Sequence, residues 1–307
     1  MTKGFLVGLW HYIVPPEGLP VKVTGELCSL GNFRRQLRII KQRFNVISVA
    51  TLINTLRGKT ELPVNPIILT FDDGTKEQYQ IVFPLLQEMG LTATFFVLTA
   101  PLMGRIPATF KLQLIFGKAD RDTVRYEIFP QALRKHNLER YLENIEFGLY
   151  TEPREIGEVK WTCNVKMSPL EKDLVVSEMF NQVLPSQELE FAGRMFMNKN
   201  ELIVLHKAGM TIGSHGINHH TLSILGEEDL KRELSGSKCF LEGLLGSQVT
   251  CIGYPAYQPP KDIKKVKEAG YVIAFTGPVE PSINLPPYDI FAIKRIHKKD
   301  LEKEFLS

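Results

Sequence analysis

Two short stretches of this chain carry side chains that could share one chemical task. In ILTFDDGTKEQY, residues 67–78, Asp72 and Asp73 stand side by side at the end of an apolar run and are followed at once by Gly74. Adjacent carboxylates repel, and a run rich in Ile and Leu is poorly hydrated, so the pair is costly unless something relieves its charge. The plain alternative is a turn in which an aspartate caps the next helix. In TIGSHGINHHTL, residues 211–222, three of the seven histidines stand close together, at 215, 219 and 220. A lone histidine is usually a satisfied core or surface residue; three together at the end of an apolar run are less ordinary. If residues 216–219 begin a helical turn, the His215 and His219 imidazoles face one point. Two imidazoles and a carboxylate make an open metal site with room for water and substrate. One aspartate would bind the ion and the other would act as base, so the two stretches account for each other.

Such a site needs strands that end together. GFLVGLWHYIV, NVISVA, NPIILTF and TATFFVLTA read as strands in the amino-terminal half. Between them, NFRRQLRIIKQRF puts Phe33, Leu37 and Ile40 on one helical face, and EQYQIVFPLLQEMG reads as a helix ending at Gly90. The rhythm returns with MTIGSH, VTCIGYP, YVIAFT and YDIFAIKRI as strands. The intervening helices are NKNELIVLHKAG, with Asn198 or Asn200 as cap, PKDIKKVKEAG, and GEEDLKRELSGSKCFLEGLLG, with Leu230, Leu234, Leu241 and Leu245 recurring at helical spacing. This predicts an α/β fold, a distorted (β/α) barrel of about seven to eight strands, whose sites form at the carboxyl ends of the strands. Residues 1–307 form one barrel domain in this reading. Residues 104–197 break the pattern and read as a mostly helical insertion within it, acting as a substrate-selecting lid, a stabilising subdomain or an oligomer contact.

Composition excludes several classes. A net charge of +3 over 307 residues, with no dense Lys/Arg block, argues against a nucleic-acid partner. Cys28, Cys163, Cys239 and Cys251 form no Cys-x-x-Cys pair and read as ordinary thiols in a reducing compartment. No apolar run reaches the ~18 residues that a transmembrane segment needs. GFLVGLW is too short for a signal-peptide core. The expected location is therefore cytoplasmic, with a leader outside this sequence as the alternative.

TFDDG, then HGINH in the place of His-Ser/Thr-x-x-His, resemble the polysaccharide deacetylases, carbohydrate esterase family 4. The flanks FRRQLRIIKQRFNVISVATL, YQIVFPLLQEMGLTATFFV and ELIVLHKAGMTIGSHG are similar too, and the likeness covers about residues 4–100 and 198–297. It implies that Asp73, His215 and His219 hold a divalent metal, zinc first with cobalt, nickel or iron also suited, and that Asp72 is the general base toward a metal-bound water. GYPAY resembles the third motif, so Tyr254, Pro255, Ala256 and Tyr257 would line the groove, the amide near Ala256 serving the oxyanion. LWHYIVP resembles the Tyr-His-x-x-x-Pro start of a branch that includes deacetylases of poly-N-acetylglucosamine, and makes His11 the general acid.

This chain departs from the family pattern in three places. Gly253 stands near the position of the arginine that opens the third motif, His220 replaces the proline after the second ligand, and the late histidine motif is not recognisable. Arg295, in AIKRIHKKD, resembles the branch's Leu-Pro-Arg-Ile ending and would brace Asp72 instead. The implied activity is removal of acetyl groups from an N-acetylated sugar, as polymer, oligomer or lipid- or nucleotide-linked precursor of a cell-surface polysaccharide. The alternatives are a metal-dependent amidohydrolase of small cyclic amides or imides, and an inactive carbohydrate-binding homologue.

Overall fold

The computed structural model of the chain describes residues 4–19, 27–143, 145–146, 153–278 and 283–306. Seven strands form the scaffold: β1 (Leu6–Trp10), β2 (Pro66–Phe71), β3 (Thr94–Val97), β4 (Thr211–Ser214), β5 (Cys251–Gly253), β6 (Ile273–Pro278) and β7 (Ile293–His297). Each pairs in parallel with the next in chain order. β7 returns to β1, with Gly8 opposite Ile296 and Leu9 opposite His297. The sheet is therefore a closed barrel without a free edge, and every strand's carboxyl end opens on the same rim.

Period-two alternation divides the strand side chains into two sets. Ile67, Leu69, Phe71, Phe95, Val97, Ile212 and Ile252 pack with Phe33, Leu37 and Ile40 of the helix α1 (Leu30–Arg43) and with Leu202 and Leu205. The alternate residues Val7, Ile68, Phe96, Cys251, Ile273, Phe275 and Ile293 form a separate cluster that includes Val49, Leu52 and Ile53. The ring of Phe96 occupies the space beside two glycines: a Cβ on Gly213 would lie 2.5 Å from it, and one on Gly253 2.8 Å.

The strand expected at 45–50 is cut short after two residues. Only Asn45–Val46 pairs with β2, and Ser48 then accepts a hydrogen bond from Thr51 N to cap α2 (Val49–Leu56). That local cap overrides the β-branched residues of NVISVA. The strand expected at 4–14 is also interrupted, at His11, with Tyr12–Val14 pairing instead with Leu27–Ser29.

The described residues divide into two compact units, one within residues 4–103 and 195–306, the other within 104–194. The second unit contains helices Ala108–Lys118, Phe129–Lys135, Arg154–Trp161 and Pro169–Val183, and no strand among its described residues. Ser168 and Glu171 form a capping box at the start of the last of these. No helix among the described residues is long and apolar enough to cross a membrane.

Candidate active site

β2 delivers the two aspartates, and the chain then turns sharply. Asp72 remains extended, its amide donating to Trp10 O at 3.1 Å. Asp73 and Gly74 both lie in the left-handed region, at φ 76° and 70°. A Cβ on Gly74 would lie 2.9 Å from Val97 Cγ1, so glycine is required for space as well as conformation. Asp73 has no such freedom, and a non-glycine residue held there is the kind of strain that marks functional turns. No side chain caps the π-type segment Gln78–Val82 that follows. The expected turn forms at Asp73 and Gly74 together. Gln78, one turn on, donates from Nε2 to Asp72 O (2.6 Å) and His11 O (3.2 Å), which ties together the ends of β1 and β2.

Asp72 is fully buried and asymmetrically held. Arg295, equally buried, donates from Nη1 to Asp72 Oδ1 at 2.6 Å and from Nε to Thr276 O at 2.6 Å. Asp72 Oδ2 has no hydrogen-bond partner among the described residues. His11 Nε2 and His215 Nε2 each lie 3.9 Å from it. Burial alone would raise the Asp72 pKa, but the charges of Arg295, His215 and His11, with the Arg295 hydrogen bond, outweigh it and hold the carboxyl below the usual aspartate range.

The structure also gives a physical reason for the missing arginine of the third motif. A side chain at Gly253 would run into Phe96, over whose ring the Arg295 guanidinium lies at 5.6 Å. Arg295 reaches Asp72 from β7 instead, and the same cation also lies 5.8 Å from the Tyr257 ring.

His215 leaves the end of β4 with Nδ1 2.7 Å from Gly253 O. A carbonyl only accepts, so Nδ1 is the donor, and Nε2 is the nitrogen left to face Asp73. His215 Nε2 and His219 Nε2 lie 3.5 and 3.6 Å from Asp73 Oδ1, and one ligand atom from each residue falls within 4.8 Å of the others. Ligands about 2.1 Å from one tetrahedral ion sit about 3.4 Å apart, so the spacing fits a shared cation. Asp73 Oδ1 is buried without a hydrogen-bond partner among the described residues. Burial raises the Asp73 carboxyl, with the Asp72 charge adding to it against the lowering pull of His11 and His215. An added cation would remove this penalty. The residues present therefore fit a divalent metal.

The expected helical turn at 216–219 is absent. Gly216 (φ 80°) and His219 (φ 57°) bend the segment, and this double reversal brings the second imidazole back to the first. His220 lies with Nδ1 3.3 Å from Glu233 Oε1. Glu233 escaped the sequence reading, although an acid sharing one helical face with Leu230, Ser237 and Leu241 was a legible anomaly.

In the loop at 253–257, Ala256 and Tyr257 are both left-handed, at φ 50° and 64°. The Tyr257 hydroxyl lies 3.3 Å from His11 Nε2, and Tyr257 O accepts from Thr276 Oγ1 at 2.7 Å. A Cβ on Gly277 would lie 2.3 Å from Tyr257 Cβ, so Gly277 is a hidden requirement of this placement. Pro255 is buried and Ala256 exposed. Tyr254 points elsewhere: its ring is fully buried and its hydroxyl donates to Phe291 O at 2.8 Å, so its side chain anchors the loop and does not line a groove.

A sequence profile of the polysaccharide deacetylase family matches residues 59–117 and 189–274, which include both aspartates, both facing histidines and the 253–257 loop but neither His11 nor Arg295. No curated protein sequence matches the chain. Among solved structures, the Streptococcus pyogenes deacetylase PplD, determined in complex with acetate, superposes with a TM-score of 0.61 at 14% identity, covering 99% of this chain and 98% of that one. A de-N-acetylase from Aggregatibacter actinomycetemcomitans gives 0.57 at 16% identity over 95% and 94% of the two chains. IcaB from Ammonifex degensii gives 0.57 at 15% identity over 97% and 92%. At these identities the likeness establishes a shared fold.

Proposed function

Because this chain belongs to the polysaccharide deacetylase family, we propose that it hydrolyses the N-acetyl group of a sugar in a polysaccharide or its precursor, at a divalent-metal centre held by Asp73, His215 and His219. The observation that carries this reading is the convergence on one barrel rim of a buried Asp-His-His set, a second aspartate with a free oxygen, and His11. A divalent cation held there, zinc best matching two imidazoles and one carboxylate, would polarise the amide carbonyl and lower the pKa of water.

The chain's own groups supply the proton traffic. Asp72 is kept ionised by Arg295, and its Oδ2 accepts the proton of the attacking water. The water oxygen bonds to the acetyl carbon, and the Ala256 amide donates to the oxyanion that forms. His11 Nε2, beside both Asp72 Oδ2 and the Tyr257 hydroxyl, donates its proton to the sugar nitrogen as the C–N bond breaks, because an amine anion does not leave unaided. Acetate and a free amine result.

The roles separate by substitution. Asp73→Ala should abolish both metal binding and acetate release, whereas Asp72→Asn should bind metal and lose turnover by about 10²- to 10⁴-fold. An Asp72→Asn variant that still releases acetate at the native rate would contradict the assignment of the base.

A further inference from the structure

We infer that Glu233 is the positioning residue for the loop that carries both metal-facing histidines. The inference rests on the metal-centre reading above. Residues 227–245 form a helix behind that loop, and Glu233 lies in a wider π-type turn, Arg232–Gly236. Its carboxylate is 2% exposed yet has no lysine or arginine partner among the described ion pairs. It is spent on the loop instead. Oε2 accepts from Ile217 N at 2.6 Å and from Asn218 N at 3.2 Å, Oε1 accepts from Asn218 Nδ2 at 3.0 Å, and His220 Nδ1 lies 3.3 Å from Oε1. One buried carboxylate thus holds three donors from two consecutive loop residues, Ile217 and Asn218, and the residue just after His219.

The glycine between the ligands explains why a carboxylate can sit there. A Cβ on Gly216 would lie 2.8 Å from Glu233 Oε2, so a serine or threonine at 216 and this carboxylate compete for the same space. A second tether starts from the same helix. Ser237 Oγ donates to Glu233 O at 2.6 Å, which leaves Ser214 Oγ to donate to Ser237 Oγ at 2.8 Å and to accept from Gly216 N at 3.1 Å. Ser214 immediately precedes His215. The loop is therefore fixed on both sides of its first ligand and next to its second. Hydrogen bonds to a buried carboxylate are the stronger kind, and groups that orient metal ligands typically set 10- to 100-fold of metal affinity.

The test titrates the metal-free full chain with Co²⁺, whose visible absorption reports ligand geometry. Glu233→Gln keeps shape and one acceptor but loses the second. It should weaken Co²⁺ binding at least about tenfold and shift the absorption band. Leu230→Ala, a core truncation one turn earlier on the same helix, serves as the stability-matched control and should leave affinity and band at native values. Native affinity and band in Glu233→Gln, or changes no larger than those of Leu230→Ala, would overturn the inference. If Glu233→Gln does not fold, Gly216→Ala displaces the carboxylate from the other side. Gly209→Ala then controls for strain, since Gly209 has the same left-handed backbone in open space. Equal Co²⁺ affinity in these two variants overturns the inference as well. A native chain that binds no Co²⁺ would remove the metal reading and this one together. A native chain that binds, a His215→Ala variant that does not, and a Glu233→Gln variant identical to native would remove this one alone.

Discussion

Replacing Arg295 by methionine removes one charge of a pair in which both partners are fully buried and 2.6 Å apart. Methionine keeps much of the volume and the contact with the Phe96 ring. Breaking a buried pair by deleting one partner costs about 3–5 kcal/mol, because the surviving charge has lost its compensation. The lost donor to Thr276 O adds about 1 kcal/mol. The total is a large part of the 5–15 kcal/mol that typically holds a domain together. The pH dependence has a definite sign. In the native chain the folded Asp72 pKa lies below its unfolded value. Its contribution to stability is thus complete above the ordinary aspartate range and is lost as pH falls through the folded value. Without Arg295, burial is no longer outweighed and the folded value rises. The deficit of Arg295→Met is then largest at neutral pH and shrinks on acidification, as Asp72 takes up a proton. Urea unfolding of the metal-free chain at pH 5 and pH 8 measures both, and acetate release reports the loss of an ionised base. Arg295→Lys, which keeps the charge, should recover most of the stability. A deficit below about 1 kcal/mol, or one that does not change between the two pH values, would refute the brace.

Two other outcomes follow from the same geometry. His11→Ala should retain metal binding but lose acetate release from N-acetyl sugars by about 10²-fold or more, while hydrolysis of an aryl acetate, whose leaving group needs no proton, is largely spared; equal losses on both substrates would remove His11 as the acid. Burial pushes Glu77 from 4.5 up to about 7 despite a hydrogen bond from Thr75. Its folded value thus lies above the unfolded one, so stability falls as pH rises between these values and levels off above them, by about 3 kcal/mol at most. Glu77→Gln should therefore stabilise the chain at pH 8 relative to native far more than at pH 5, as read by urea unfolding; the same difference at both would contradict it.

The parts of the site legible in the sequence are those in which a costly residue type stands at a strand end. Asp72, Asp73, His215 and His219 announced themselves because no simple core or turn role accounts for all four. The inward faces of the helices were legible from periodicity, as with Phe33, Leu37 and Ile40, all fully buried, whereas the closing strand expected over 288–296 begins only at Ile293. What stayed hidden depends on contacts far apart in the chain. Gly253 cannot bear a side chain because of Phe96, Tyr257 fits only over Gly277, and Glu233 reaches a loop 15 or 16 residues away. His215 and His219 face one point through a bend and not through the helical turn that would also allow it, because the geometry comes from Gly216, His219 and Glu233 together. NVISVA keeps only its first two residues as strand because the Ser48 cap starts a helix at Val49.

The most direct test of the whole account is acetate release from N-acetylglucosamine oligomers by the metal-free chain as Zn²⁺ is added. The account predicts no release at the start, then a rise that levels off at one equivalent of metal, with no such rise for Asp73→Ala. Release that is independent of added metal, or a native chain that binds one equivalent and frees no acetate, would contradict it.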